Sequence, residues 1–257
     1  MGKKSKEFDK INATETSLQL LEMLADHDGA TVTELASNLG IANSTAHRHL
    51  QTLMHLGYVV HEDGTYKTSH KPLFIGDLTR KNILGYDFIK KHVDDCHKQT
   101  EERVQFIIEE DKYGTIIYRA QGEKSVASDV DLGEYFHLST SAAGKAILAE
   151  KPRVEVEKII NSRGLPSETE MSITDKAALM DELDTIRERG YSINKSEHIS
   201  GLWSVGAAIT QPDDGLLGAI SISAPKHRMK GDEIVEDILN PLLNAVDQIE
   251  LDITYSR

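Results

Sequence analysis

Asn43-Ser44-Thr45-Ala46-His47-Arg48-His49-Leu50-Gln51-Thr52-Leu53-Met54-His55-Leu56-Gly57 decides how the rest of the chain is read. As a helix, this stretch places Ala46, Leu50, Leu53 and Gly57 on one face that can be buried. The opposite face carries Ser44, Thr45, His47, Arg48, Gln51, Thr52 and His55, with no carboxylate, in a chain of net charge -13. Donors without acid suit a groove lined with phosphates and base edges. Asn43 is a suitable N-cap and Gly57 a suitable residue just past the C-terminus, so both helix ends are signalled locally.

What precedes this helix gives it a context. Thr31-Val32-Thr33-Glu34 has capping-box spacing and starts a short helix to about Leu39. Leu35 and Leu39 form its inner face, Ala36 permits a close crossing, and Gly40 allows a left-handed turn into Ile41, which together make a helix-turn-helix pattern. Tyr58 to His61 and Thr65 to Thr68 are β-rich and joined through Asp63-Gly64, which predicts the hairpin wing of a winged helix.

A chain of 257 residues with 39% hydrophobic residues is long enough for two domains. No apolar run suits a membrane span or a secretion signal, and Cys96 is the single cysteine, so a cytoplasmic protein without disulfides is expected. The acid is unevenly spread. Residues 1–80 hold eight Lys+Arg and ten Asp+Glu, which leaves 21 and 32 of the totals of 29 and 42 for the remainder. The first part therefore carries -2 and the second -11. An acidic surface of this kind fits high salt, where counterion release drives DNA binding weakly and base contacts matter more.

In chain order, residues 1–12 form a flexible basic arm with Lys3, Lys4, Lys6 and Lys10. A first helix runs from near Thr16 to Asp26, with Leu18, Leu21 and Leu24 or Ala25 facing inward and Asp28-Gly29 as its stop. The winged helix-turn-helix domain occupies residues 13–71. Pro72 is expected to break the chain before a linker helix within 72–85. Residues 86–257 alternate helices and strands. A helix covers Tyr86 to Thr100, and strands at 104–108 and 115–119 flank a turn at Lys112-Tyr113-Gly114. Helices at 141–149, 153–162 and 175–188 follow, the last capped by Thr174. Strands at 191–195, 205–211 and 216–223 and a closing helix from Asp232 to Asp252 complete an α+β domain on an antiparallel sheet.

On these residues the chain resembles the IclR-type transcriptional regulators. Leu18 to Gly64, above all Leu35-Ala36 through Ser44-Thr45-Ala46-His47-Arg48, is similar to their winged helix. His137 to Ala146, Arg189-Gly190-Tyr191, Gly201-Leu202 and Ala219 to Pro225 are similar, in order, to landmarks of their effector-binding domain. The resemblance spans about residues 14 to 250. It implies a GAF-like ligand domain, a homodimer or homotetramer, and double-stranded DNA with a partly palindromic operator as partner. It also implies a small-molecule effector that changes DNA affinity.

The candidate DNA contacts are Thr33, Asn43, Ser44, Thr45, His47, Arg48, Gln51, Thr52 and Lys67. The resemblance places Leu132, Ala142, Ala143, Asn194, Leu202, Ser204, Ser221 and Ser223 at effector positions. Asn194 stands where the family can carry an acid and Ser204 where it can carry a cysteine, which argues against carrying over a specific effector such as a small keto acid; the expected effector is a polar, anionic metabolite, a sugar acid or an aromatic acid. Read without the family, free amides at the start of the Ala142-Ala143-Gly144 helix suit an anion. The same small residues also suit close helix packing, and Ser221 and Ser223 share one sheet face whichever holds.

Two other classes have candidate residues of their own. His92, Cys96 and His97 on one helix suggest metal ligands but lack a clear fourth. His137 with Ser139 or Ser141 suggests a hydrolase but lacks a nucleophile turn. A metal-dependent or enzymatic protein carrying a winged-helix interaction domain is therefore the alternative, and no catalytic residue, metal or cofactor is assigned.

Overall fold

A computed structural model describes residues 10–26, 29–123, 125, 130–211, 215–229 and 235–256. The chain divides into two compact units, residues 1–80 and 81–257.

The first unit contains α1 (Asn12–Ala25), α2 (Val32–Leu39), α3 (Asn43–His55), β1 (Val59–Glu62) and β2 (Thr65–Thr68), and α4 (Lys71–Lys81) follows. Thr31 and Glu34 make the full capping box at the start of α2, and Gly40 ends it with φ of 65°. Past α3, Gly57 takes φ of 81°. Its amide reaches the Met54 carbonyl while that of Tyr58 reaches Leu53, which satisfies the last turn's free carbonyls. Asp63 and Gly64 both have positive φ, the geometry of a two-residue hairpin turn, and β1 pairs antiparallel with β2. Leu20, Leu24, Leu35, Leu50, Leu53, Val59 and Tyr66 form the core.

Several local expectations need correction here. Helix α1 begins at Asn12, four residues before Thr16, and Lys10 pairs with Glu15 at 2.7 Å. Residues 1–9 and Asp28 lie outside the described residues. Leu20 and Leu24 are the buried pair of α1, while Leu18 is 52% exposed, because two residues of helix turn it away from Leu20. The N-cap of α3 is Ala42, with no side-chain bond, and Asn43 instead reaches the Thr33 hydroxyl at 3.5 Å. Pro72 does not break the chain: it lies in the first turn of α4, where a missing amide removes no helical bond. That helix stops at Lys81 rather than Leu84.

The second unit is built on one six-stranded sheet in the order β5-β4-β3-β8-β7-β6, with every pairing antiparallel. The strands are β3 (Arg103–Glu110), β4 (Tyr113–Ala120), β5 (Tyr135–Phe136), β6 (Ser192–Lys195), β7 (Leu202–Thr210) and β8 (Leu216–Pro225). The helices are α5 (Tyr86–Thr100), α6 (Ala142–Glu150), α7 (Arg153–Arg163), α8 (Lys176–Arg189) and α9 (Asn240–Tyr255). Strand alternation sorts the faces. Ile220, Ile222 and Ala224 of β8 join Ile89, Val93, Leu242 and Ile249 of α5 and α9. Ala219 joins Ile107 and the α6 and α8 residues Ala143, Ile147, Leu179 and Leu183 on the other side.

The turn between β3 and β4 is Asp111-Lys112, both at positive φ, and Tyr113 and Gly114 belong to β4. A two-residue turn matches the twist of the flanking strands, which explains the shift from the expected three residues. Asp175, not Thr174, caps α8 by accepting from the Ala178 amide at 2.9 Å. Asp213 and Asp214 lie outside the described residues, as do 230–234 at the expected start of the last helix, which here follows a π-turn at Val235–Leu239. Among the described residues no helix is long and apolar enough to cross a membrane.

Candidate functional site

Helix α3 buries Ala46, Leu50 and Leu53 and leaves Asn43, Ser44, His47, Arg48, Gln51 and Thr52 exposed, with Thr45 partly so. These side chains share the outward face because the buried ones fix the helix rotation. Gln51 and His47 lie 3.5 Å apart, and the Thr52 hydroxyl donates to the Arg48 carbonyl at 2.9 Å. His49 points elsewhere: its Nδ1 is 2.8 Å from the Ser17 hydroxyl of α1. Thr33 is exposed on α2, whereas Lys67 of β2 is half-buried, its stem under Gly29. The hairpin carries exposed Glu62 and Asp63 at its tip, so the wing is less basic than a phosphate clamp.

In the second unit a cavity lies between the sheet and the start of α6. Ala142, Ala143, Asn194, Leu202, Ser204, Ser221 and Ser223 all line it, while Leu132 does not and is 49% exposed. Strand register brings the polar residues together. Arg103, Ser223, Ser204 and Asn194 are successive partners across β3, β8, β7 and β6. In the next row Gln105 and Ser221 are partners, followed by Gly206 and Ser192. Gly206 permits the close approach of α6: a Cβ there would lie 2.7 Å from the Ala142 carbonyl carbon and the Ala143 amide nitrogen.

The small residues of α6 divide between the two roles expected of them. Gly144 is a packing position, since a Cβ would strike the Leu138 backbone. Ala142 and Ala143 face the cavity, in the first turn of a helix whose leading amides lack helical acceptors. Ser141 caps that turn by accepting from the Gly144 amide at 2.9 Å.

Asn194 is tied up internally. Its Nδ2 donates to the Thr140 carbonyl, and its Oδ1 accepts from the Glu197 amide at 2.9 Å. Glu197 itself meets Lys145, which is 1% exposed; Nζ lies 2.7 Å from Oε1 and 2.8 Å from the Ile193 carbonyl. Burial pushes the Glu197 carboxyl up, against the opposing pull of the Lys145 charge. Beside it, His198 and Ile199 line the cavity, and His198 bonds Glu168.

Arg103, Gln105, Ile107, Ile116, Val130, Phe136, Ser141, His198 and Ile199 also line the cavity without having been expected there. Arg103, Gln105 and Ile107 carried a usable signal: they alternate with Val104 and Phe106 in a strand whose other face is apolar.

The residues that suggested a metal have separate occupations. His92 Nε2 lies 2.7 Å from Asp252, and His97 Nδ1 is 2.6 Å from the Glu102 carbonyl. Cys96 is buried, and burial pushes its thiol up to about 12. A thiol held neutral is a poor ligand.

Comparison with known proteins matches this architecture. The IclR helix-turn-helix domain matches residues 13–63, and the C-terminal part of the bacterial transcriptional regulator IclR matches residues 78–251. A probable HTH-type transcriptional regulator ArcR of Halobacterium salinarum is 29% identical, with 94% of each chain covered. The acetate operon repressor of Salmonella typhimurium is 29% identical over 88% of this chain and 85% of its own. The crystal structure of the Thermotoga maritima IclR superposes with a TM-score of 0.84 at 26% identity, covering 95% of this chain and 99% of that one. With a helix-turn-helix unit and an effector-domain unit both matched, this chain belongs to the IclR family of transcriptional regulators.

Proposed function

We propose that the chain reads a partly palindromic operator through the exposed face of α3, as a cytoplasmic homodimer or homotetramer. A small polar, anionic metabolite bound in the second unit's cavity controls its DNA affinity. The observation that carries the DNA reading is the outward face of α3, which offers hydroxyls, an amide, imidazoles and a guanidinium and no carboxylate in a chain of net charge -13. Asn43, Ser44, Thr45, His47, Arg48, Gln51 and Thr52 are the proposed contacts, with Thr33 and Lys67 flanking them.

For the ligand, the cavity lining supplies a guanidinium, serine hydroxyls and the start of a helix, and among the described residues it includes no Asp or Glu. An anion gains there and a cation does not. Oligomerisation is supported by apolar side chains left in water: Ile11 at 73% and Leu18 at 52% on and before α1, and Leu73 at 66%, Phe74 at 64% and Leu78 at 46% on α4. Two copies of one α3 would match two half-sites.

Footprinting on DNA flanking the protein's own coding region, repeated with a panel of acids, sugars and amines, tests both halves. Protection of two related half-sites and a changed affinity on adding an acid are the expected outcomes. Absence of protection at every salt concentration overturns the DNA half. A response confined to cationic or apolar compounds overturns the ligand half.

A further inference from the structure

A smaller cavity in the same unit shares no lining residue with the one beside α6. The end of α7, the turn between β3 and β4, the short turn Leu138–Thr140 and one residue each of α6 and α8 enclose about 10 Å³, room for one small occupant. Leu148, Ile159 and Leu179 are buried in its wall, and Lys112, His137, Ser139 and Arg163 are its polar members, with no Asp or Glu among them. Arg163 is fixed from outside. Its guanidinium lies over Tyr113, 4.2 Å from the ring centre, and one terminal nitrogen donates to the Asp111 carbonyl at 2.8 Å and to the Asp111 carboxylate. Its Nε is buried and has no acceptor among the described residues. Ser139 is 6% exposed, and its hydroxyl has no partner among them either. The same is true of the His137 ring nitrogens and of Lys112 Nζ, although the imidazole meets Tyr113 edge-on at 5.3 Å. Buried donors are costly to leave unmatched, so this group calls for an acceptor.

We infer that this cavity is a halide site, in which chloride accepts from Arg163 Nε and Ser139 Oγ in the positive field of Arg163 and Lys112. Arginine and lysine nitrogens donate and never accept, so the occupant must bring lone pairs. Water would fit the space, but its own two hydrogens also need acceptors, and the remaining side chains of the wall are apolar. A carboxylate or phosphate has several oxygens to satisfy and needs more room. A halide is one round acceptor with a single charge, which the two cations offset. The nearby acids do not cancel that field. Asp111 has a side chain 75% exposed, where water screens it, and Glu109 is held by Lys151 at 2.9 Å and by the Lys112 amide at 2.8 Å. Because Ser139 lies in the turn that delivers the chain to α6, an occupied site fastens that turn to the end of α7.

Urea denaturation of the full chain, with sodium chloride replacing sodium acetate at constant ionic strength, tests this. The midpoint is expected to rise with chloride and then level off, as a ligand of the native state requires. Ser139→Ala removes the hydroxyl, and Arg163→Lys keeps the charge but removes Nε. Each is expected to weaken chloride by about fivefold or more, the scale of one hydrogen bond. If neither variant folds, as judged by circular dichroism, anomalous scattering from wild-type crystals grown in bromide carries the test, with a peak expected between Ser139 and Arg163. A midpoint that is the same in chloride and acetate, a chloride effect of equal size in both folded variants, or bromide found only elsewhere on the chain would overturn the inference.

Discussion

Lys145 Nζ lies 2.7 Å from Glu197 Oε1, joining the second turn of α6 to the loop that follows β6, with the lysine 1% exposed. The lysine is completed by the Ile193 carbonyl, but Glu197 Oε2 is buried with no hydrogen-bond partner among the described residues. A pair of this kind contributes little net stability when intact and costs much when half is removed. Lys145→Met should therefore destabilise the protein by about 3 to 5 kcal/mol in urea denaturation. Lys145→Met combined with Glu197→Leu should recover most of that loss. Equal losses in the single and double variants would show that packing, not charge, is responsible.

The same pair sets a pH dependence. The native state holds the Glu197 proton more tightly than the unfolded chain does, because burial raises its carboxyl. Native protein therefore binds more protons in the window above the unfolded value of about 4.3, and this group's contribution to stability falls as pH rises through the window. Glu197→Gln should flatten that part of the stability profile. An unchanged slope between wild type and variant would remove Glu197 as its source.

Asn194 was expected to face the ligand, and it does line the cavity, yet both ends of its amide are spent on Thr140 and Glu197. Asn194→Asp replaces the donor to the Thr140 carbonyl by an acceptor. The variant should lose about 1 to 3 kcal/mol of stability at neutral pH, the cost of an unsatisfied buried group, and regain part of it in acid. A variant as stable as wild type would mean that the amide is not a strut between the α6 entry and the loop.

How much could be read beforehand follows from the range of each interaction. The α2–turn–α3 unit was legible because its signals are local: Thr31 with Glu34, Gly40, and Gly57 each act within a few residues. The start of α1 was not, since Ile11 offers no side-chain cap and only packing selects Leu20 and Leu24 over Leu18. In the second unit, the serines of β8 were legible as one face, but their neighbours Arg103 and Gln105 arrive from a strand more than a hundred residues away in sequence. Register across a sheet is a long-range property, and alternation within β3 gives only the face. The Lys145–Glu197 contact was invisible for the same reason, since nothing local marks a lysine in a small-residue helix as buried.

Arg48 is the one guanidinium on the exposed face of α3. If it reads a base or clamps a phosphate, Arg48→Ala should weaken operator binding by about 1 to 3 kcal/mol in fluorescence anisotropy. The two roles differ in pattern. Loss of a base contact relaxes preference at one position in each half-site, whereas loss of a phosphate contact weakens all sequences alike. Unchanged affinity for operator and for unrelated DNA would remove Arg48 from the interface.

The wing provides the last test, because its charge opposes its expected place near DNA. Glu62 and Asp63 are exposed at the hairpin tip, and the half-buried Lys67 is the cation of β2. With few phosphates neutralised, the slope of log affinity against log salt should be shallow, since each neutralised phosphate adds about 0.9 to its magnitude. Glu62→Gln with Asp63→Asn removes two negative charges, and asparagine tolerates the left-handed backbone that Asp63 adopts at φ of 49°. The double variant should bind operator and unrelated DNA several-fold more tightly at low salt, with the gain shrinking as salt screens it. An affinity that does not change at low salt would place the tip away from the phosphates.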